Sequence, residues 1–162
     1  MSIKSLDELF VHTLKDVYFA ETHLTKVLPV MAGKAWSREL KTLFEGHLVE
    51  TKNHIQRLRH VFDLLEQKAT GERSPAIEGI TREADELMAA IDDKTTLDAA
   101  LIASAQALEH YEITRYGTLI SWARELGYKA IADILRETLA EEKGADSKLL
   151  RLGEDKLNQK AA

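Results

Sequence analysis

The chain has no cysteine, which excludes disulfides, thiolate-bound metals and cysteine nucleophiles together. Any metal must be held by oxygen and nitrogen. Proline is scarce, with 2 residues in 162, and glycine occurs only 8 times. So few breakers leave room for long uninterrupted helices. No stretch approaches the roughly 20 apolar residues of a membrane-spanning helix. The opening Met1-Ser-Ile-Lys-Ser-Leu-Asp7 carries no apolar signal core, so a cytoplasmic location is expected and a membrane partner is not. Positive charge is not in excess either: 22 lysines and arginines stand against 27 acids, for a net charge of -5. Nucleic acid as a partner requires a concentrated positive field, and Lys148, Lys156 and Lys160 are too scattered to supply one.

What is present is an apolar rhythm with steps of three and four, the mark of amphipathic helices. Its first run is Phe10, Leu14, Val17, Glu21, Leu24, Leu28, Met31, and its second is Leu40, Phe44, His47, Thr51, His54, Leu58, Val61, Leu65. The third is Leu101, Ala105, Leu108, Glu112, Arg115, Leu119, Trp122, Leu126, and the fourth Ile131, Leu135, Thr138, Glu142, Ala145, Leu149, Leu152. Ser5 with Glu8 forms a capping box, and Ser37 and the Asp92–Thr96 region supply further caps. The fold class predicted is all-α, one domain over 1–162 built as an antiparallel four-helix bundle. Its helices are expected at 5–31, 37–68, 97–126 and 128–157, with one long crossover carrying an additional short helix from Ala76 to Ile91. Pro29 falls in the last turns of the first helix, where a lost backbone donor favours a kink.

Each run carries an acid on its inner face. Glu21, Glu112 and Glu142 take seam positions, and Glu50 borders the polar middle of the second run. A buried ionised carboxylate is costly unless it is paired or coordinates a cation. Measured from turns near Ala35 and Gly127, each of the four lies about 15 residues along its helix, roughly 22 Å at the standard rise. They therefore meet at one level, which calls for a metal. Glu50 with His54 and Glu142 with Asp146 are i, i+4 pairs, and Glu109 precedes Glu112 by one turn. The candidate metal ligands are Glu21, Glu50, His54, Glu109, Glu112, Glu142 and Asp146. Any single glutamate has a plainer explanation, reaching the surface or pairing with Arg115, but four at matched depth weigh against it. His47 is read as a core or outer-sphere residue, and Glu141, about 100° from Glu142 around the helix, as external. Tyr18 and Tyr116 stand a turn from Glu21 and Glu112. His12, His23, His60 and His110 are assigned to the surface, Trp36 to a cap over one end, and Trp122 to the core or a dimer interface.

The segments Leu14-Lys-Asp-Val-Tyr-Phe-Ala-Glu21, His47-Leu-Val-Glu-Thr-Lys-Asn-His54, Ala107-Leu-Glu-His-Tyr-Glu-Ile-Thr-Arg-Tyr-Gly-Thr-Leu119 and Glu137-Thr-Leu-Ala-Glu-Glu-Lys-Gly-Ala-Asp146 closely resemble the YciE/YciF family of ferritin-like bacterial stress proteins. The similarity spans nearly the whole chain, and residues 99–127 are its most specific part. The resemblance implies a ferritin-like bundle, a homodimer, a dinuclear metal centre and a role in stress response. Di-iron carboxylate bundles typically pair a glutamate with Glu-x-x-His in each half. Here the i+3 positions are Asn53 and Ala145, and the residues one further on are His54 and Asp146. The resulting donor set is hard, suited to two metal ions, iron first and manganese second, over copper or zinc. Glu50 and Glu142 are read as the bridging pair, with Glu21, Glu109 and Glu112 terminal. The function expected is a dinuclear metal protein reacting with oxygen or peroxide. The alternative is a non-catalytic structural or interaction bundle stabilised by its metal. An iron-storing miniature ferritin is disfavoured, because such shells draw ligands across a subunit interface and these complete a site within one chain.

Overall fold

A computed structural model describes residues 2–162. The long elements are α1 (Leu6–Lys34), α2 (Arg38–Leu64), α3 (Pro75–Ala90), α4 (Lys94–Glu125) and α5 (Lys129–Leu152). A π-helical turn, Gly153–Leu157, and a short α6, Asn158–Ala161, continue α5. Among the described residues there is no strand, and no helix is long and apolar enough to cross a membrane. The chain is all-helical, as its periodicity predicts.

The caps explain most of the boundaries. Ser5 Oγ accepts from Glu8 N at 3.1 Å, and Ser37 Oγ from Leu40 N at 3.3 Å. Asp93 accepts from Thr96 N at 2.8 Å and opens α4 three residues before the expected Leu97. At the end of α4, Gly127 adopts φ 80 while Tyr128 N reaches back to Ala123 O at 2.7 Å. That left-handed finish suits glycine. The same closure ends α2 at Leu64, short of the expected Lys68: Gln67 N bonds Phe62 O at 2.9 Å with Glu66 at φ 54. Glutamate is a poor residue for that conformation, so the sequence does not advertise the stop. Pro29 does not end α1, which continues to Lys34.

Helix α1 packs along α2 and α4 along α5; the pairs meet through α1 with α4 and α2 with α5, while α3 lies mainly on α4. The apolar interior forms two clusters. One gathers Leu24, Leu28, Met31, Leu40, Phe44, Leu101, Leu108 and Leu149; the other gathers Phe10, Leu14, Val17, Leu58, Phe62, Leu119 and Leu135. Every long helix except α3 runs from one cluster to the other, and between them each places polar side chains inward: Glu21 from α1, His47, Thr51 and His54 from α2, Glu109 and Glu112 from α4, Thr138 and Glu142 from α5. The core is thus apolar, polar, apolar along its length. Trp36 is not a buried cap: it is 64% exposed, with Lys94 Nζ 3.8 Å from its ring centroid.

The α1–α2 turn is fixed from another helix. Asp98 of α4, 2% exposed, accepts from Trp36 N and Ser37 N at 2.8 Å each. Hydrogen bonds to a charged group contribute about 1.5–3 kcal/mol apiece. Asp98→Ala is therefore expected to lower the melting temperature by about 5–10 °C, with Asp98→Asn intermediate. An unchanged melt in both variants would show that the turn holds without its carboxylate.

Candidate metal centre

The polar layer brings ligand-type atoms together in two groups. His47, Glu109, Glu112 and Glu142 each offer one atom such that all lie within 4.8 Å of one another, and Glu21, His54 and Glu142 do the same. Glu142 belongs to both. His47 Nε2 lies 3.1 Å from Glu109 Oε1 and 3.6 Å from Glu142 Oε2. His54 Nδ1 lies 3.2 Å from Glu21 Oε1 and 2.9 Å from Glu142 Oε1. Glu21, His54, Glu112 and Glu142 are 0% exposed.

These inner atoms are close to one another but not bonded. Both oxygens of Glu112 and of Glu142, one oxygen each of Glu21 and Glu109, His47 Nε2 and His54 Nδ1 are buried without a properly directed hydrogen bond. Folded proteins pair nearly all such groups. Among the described residues no lysine or arginine forms an ion pair with Glu21, Glu109, Glu112 or Glu142. Arg115, the obvious alternative partner, lies over the Tyr111 ring at 5.2 Å. These atoms converge on common points from four helices, and among the described residues the protein cations that reach them are the two imidazoles, fewer than the four acids they face, so the group fits a cation.

Both histidines are held from behind by an acid. Glu141 Oε2 lies 2.8 Å from His54 Nε2, and Arg57 grips Glu141 in a two-pronged contact of 2.6 and 2.8 Å. Glu50 Oε2 lies 3.3 Å from His47 Nδ1. An acid on the outer nitrogen fixes the proton there and leaves the inner nitrogen free to bind a metal, the usual arrangement behind ligating imidazoles. Tyr116 Oη donates to Glu21 Oε1 at 2.5 Å.

The electrostatics follow from burial. Burial pushes Glu109 and Glu112 well above the usual carboxylate range, and nearby Glu142 and Glu21 add to it. Glu21 is raised by burial, with His54 opposing and Glu142 reinforcing. Glu142 goes the other way: burial would raise it, but His54 and His47 bring it below the ordinary value. Burial alone would lower His54, yet the contacts with Glu142 and Glu21 outweigh it and push the imidazole up to about 10. His54 is therefore the imidazolium at neutral pH when no cation stands beside it.

Of the seven residues singled out in the sequence, the structure brings together Glu21, His54, Glu109, Glu112 and Glu142. Glu50 and Asp146 are not in the buried groups. Glu50 is 33% exposed, between His47 and Lys148, whose Nζ is 3.9 Å away. Asp146 faces Gln106 at 3.1 Å and His110 at 3.3 Å. His47, read as a core or outer-sphere residue, is buried and points into the cluster. Its signal is its place two turns before His54 on the same stripe. Glu141 is not simply external, since Arg57 draws it inward onto His54. Tyr18 turns away from Glu21 and accepts from Arg59 Nε at 3.1 Å. His23, expected at the surface, is half-buried against Thr81 at 3.1 Å.

Fold and site together define an all-helical protein whose interior carries a carboxylate and imidazole cluster able to hold metal. Residues 5–162 match the family model DUF892, described as a domain of unknown function, and the chain belongs to that family. It is 40% identical to Protein YciF of Escherichia coli (strain K12) over 162 residues, 99% of this chain and 98% of that one. The crystal structure of the E. coli stress protein YciF superposes with TM-score 0.92 at 39% identity, covering 96% of this chain and 99% of that one. YcfI of Rhodopseudomonas palustris, described as a proposed structural protein, matches with TM-score 0.90 at 50% identity over 91% of this chain and 94% of its own. A Xanthomonas campestris protein shares the fold, with TM-score 0.71 at 24% identity over 93% of this chain and 92% of its own. The resemblance to YciE/YciF proteins read from the sequence is thereby established.

An unpartnered carboxyl in the core destabilises whatever its protonation state. Replacing Glu112 by leucine, of similar volume, is expected to raise the melting temperature in excess chelator by several degrees, corresponding to about 1–3 kcal/mol. A lower melting temperature in chelator would mean that Glu112 has a stabilising partner in the metal-free chain.

Proposed function

We propose that the chain is a ferritin-like four-helix bundle that binds two divalent metal ions, iron first and manganese second, and serves in stress response. What carries this reading is the set of buried, unpartnered oxygens and nitrogens on Glu21, His47, His54, Glu109, Glu112 and Glu142. One ion would be held by His47, Glu109, Glu112 and Glu142, the other by Glu21, His54 and Glu142, with Glu142 the bridge. Glu50 would act from the outside, through His47 or directly as a ligand. Asp146, one turn beyond Glu142, supports the rim.

When bound, an iron or manganese pair supplies electrons to a small oxidant, oxygen or peroxide. The chain's own residues do the rest. The apolar clusters above and below close the two ends of the layer to water. Tyr116 orients Glu21, Glu141 fixes the proton on His54 Nε2, and Glu50 fixes that on His47 Nδ1. A homodimer belongs to the same reading, with the half-buried Trp122 and Leu126 available for contact. A second reading, a structural bundle that metal only stabilises, draws on the description of the R. palustris relative and on the layer's position tying four helices together.

Metal analysis after anaerobic iron loading separates these readings. The wild type is expected to hold two ions and Glu142→Ala one or none. Glu141→Ala should still bind two, but more weakly, by about 10–100-fold, because His54 loses its outer support. Oxidation of the bound iron on exposure to oxygen favours the redox reading, and stable ferrous loading favours the structural one. Two ions in Glu142→Ala would remove the bridge from the account.

A further inference from the structure

The buried layer has an opening on one side. A cavity of about 80 Å³ between α2 and α5 is lined at its mouth by Thr42, Gly46, Glu50 and Lys148 and at its floor by His47 and Glu109. A cavity needs only about 10–15 Å³ of such volume per water, so several waters fit. Four larger cavities, of about 670, 470, 280 and 320 Å³, are lined by none of the buried cluster residues. The small one alone among these reaches the centre.

We propose that this opening is the port through which divalent cations enter and leave, with Glu50 as the transfer ligand at its mouth; the inference rests on the metal-centre reading. Three observations converge. First, Glu50 is half-exposed at the mouth, and its Oε2 is 3.3 Å from His47 Nδ1, while His47 Nε2 is 3.1 Å from Glu109. An acid at the surface therefore stands one side chain away from the buried oxygens. Second, the opening is lined by small residues, the exposed Gly46 of α2 at its mouth and the buried Ala145 of α5 beneath, and a Cβ added at Gly46 would meet nothing within 4 Å. Third, the cation already at the mouth is weakly held. Lys148 is 59% exposed and 3.9 Å from Glu50, a pairing easily exchanged for a divalent ion. A hydrated cation would replace Lys148 at Glu50, shed water in the cavity, and pass His47 to reach Glu109 and Glu142. The port also accounts for Glu50 lying outside the buried groups.

Uptake kinetics test the port separately from the site. Metal-free protein is mixed with Mn(II), and the loss of the free-ion electron paramagnetic resonance signal is followed with time. Gly46→Leu, which narrows the mouth and improves helix propensity, is expected to slow uptake at least tenfold while reaching the wild-type final ratio. Lys148→Ala should speed it severalfold. Gly79→Leu, on α3 and also with open space around its Cβ, should match the wild type. If Gly46→Leu loses its helical circular dichroism, Thr42→Phe at the same mouth takes its place with the same expected slowing. Uptake at the wild-type rate by a folded mouth variant would overturn the port and leave the metal centre standing. A wild-type chain that leaves the free Mn(II) signal untouched would overturn the metal centre and the port with it.

Discussion

Glu21, Glu109, Glu112 and Glu142 share one level of a helical core with two imidazoles as their basic partners, and the rest of the structure is arranged around that burial. Four like-charged groups cannot all ionise together in a low-dielectric interior. In the absence of a cation, three of the four carboxyls are pushed up and His54 is held protonated. This is a poor use of core space, since apolar residues of the same size would stabilise the fold more. Two divalent ions would convert the repulsion into attraction. The cluster is therefore understandable as a binding site and hard to understand as a stability device.

The scaffold fits that constraint. Splitting the apolar interior into two clusters anchors each long helix on both sides of the polar layer, so the acids cannot drift apart when unliganded. The outer contacts complete the arrangement. Arg57 holds Glu141, Glu141 holds His54, and Glu50 holds His47, which leaves both inner nitrogens aimed at the cluster. Supports of this kind are what a preorganised metal site requires. Tyr116, fully buried and bonded to Glu21, fixes the remaining carboxylate.

Much of the fold and of the site is legible in the amino-acid sequence. Glu21, Glu112, Glu142 and His54 stand on the apolar stripe itself, and periodicity places such residues well. Glu109 follows, one turn from Glu112. Glu50 is one residue off the stripe formed by His47, Thr51 and His54, which is why it reaches only the rim. Asp146 loses the inner position to Ala145 for the same reason. His47 is not legible as an inner ligand, because a lone polar residue on an apolar face is usually a core residue, and what decides its role is Glu109 on another helix. Glu141 escapes a reading by periodicity because the pull on it comes from Arg57 across the α2–α5 interface. Among the boundaries, Gly127 announces the end of α4, whereas Glu66, in the same left-handed geometry, hides the end of α2. Contacts between helices account for His47 and Glu141, and local register and backbone conformation for Glu50, Asp146 and the end of α2.

The central claim is that cations occupy the points on which these orphaned atoms converge. Crystals grown with Mn(II), measured above and below the manganese absorption edge, test it directly. The account predicts two anomalous peaks inside the polar layer, both touching Glu142, one bordered by His47, Glu109 and Glu112 and the other by Glu21 and His54. A layer without anomalous density in crystals grown at saturating Mn(II) would contradict it.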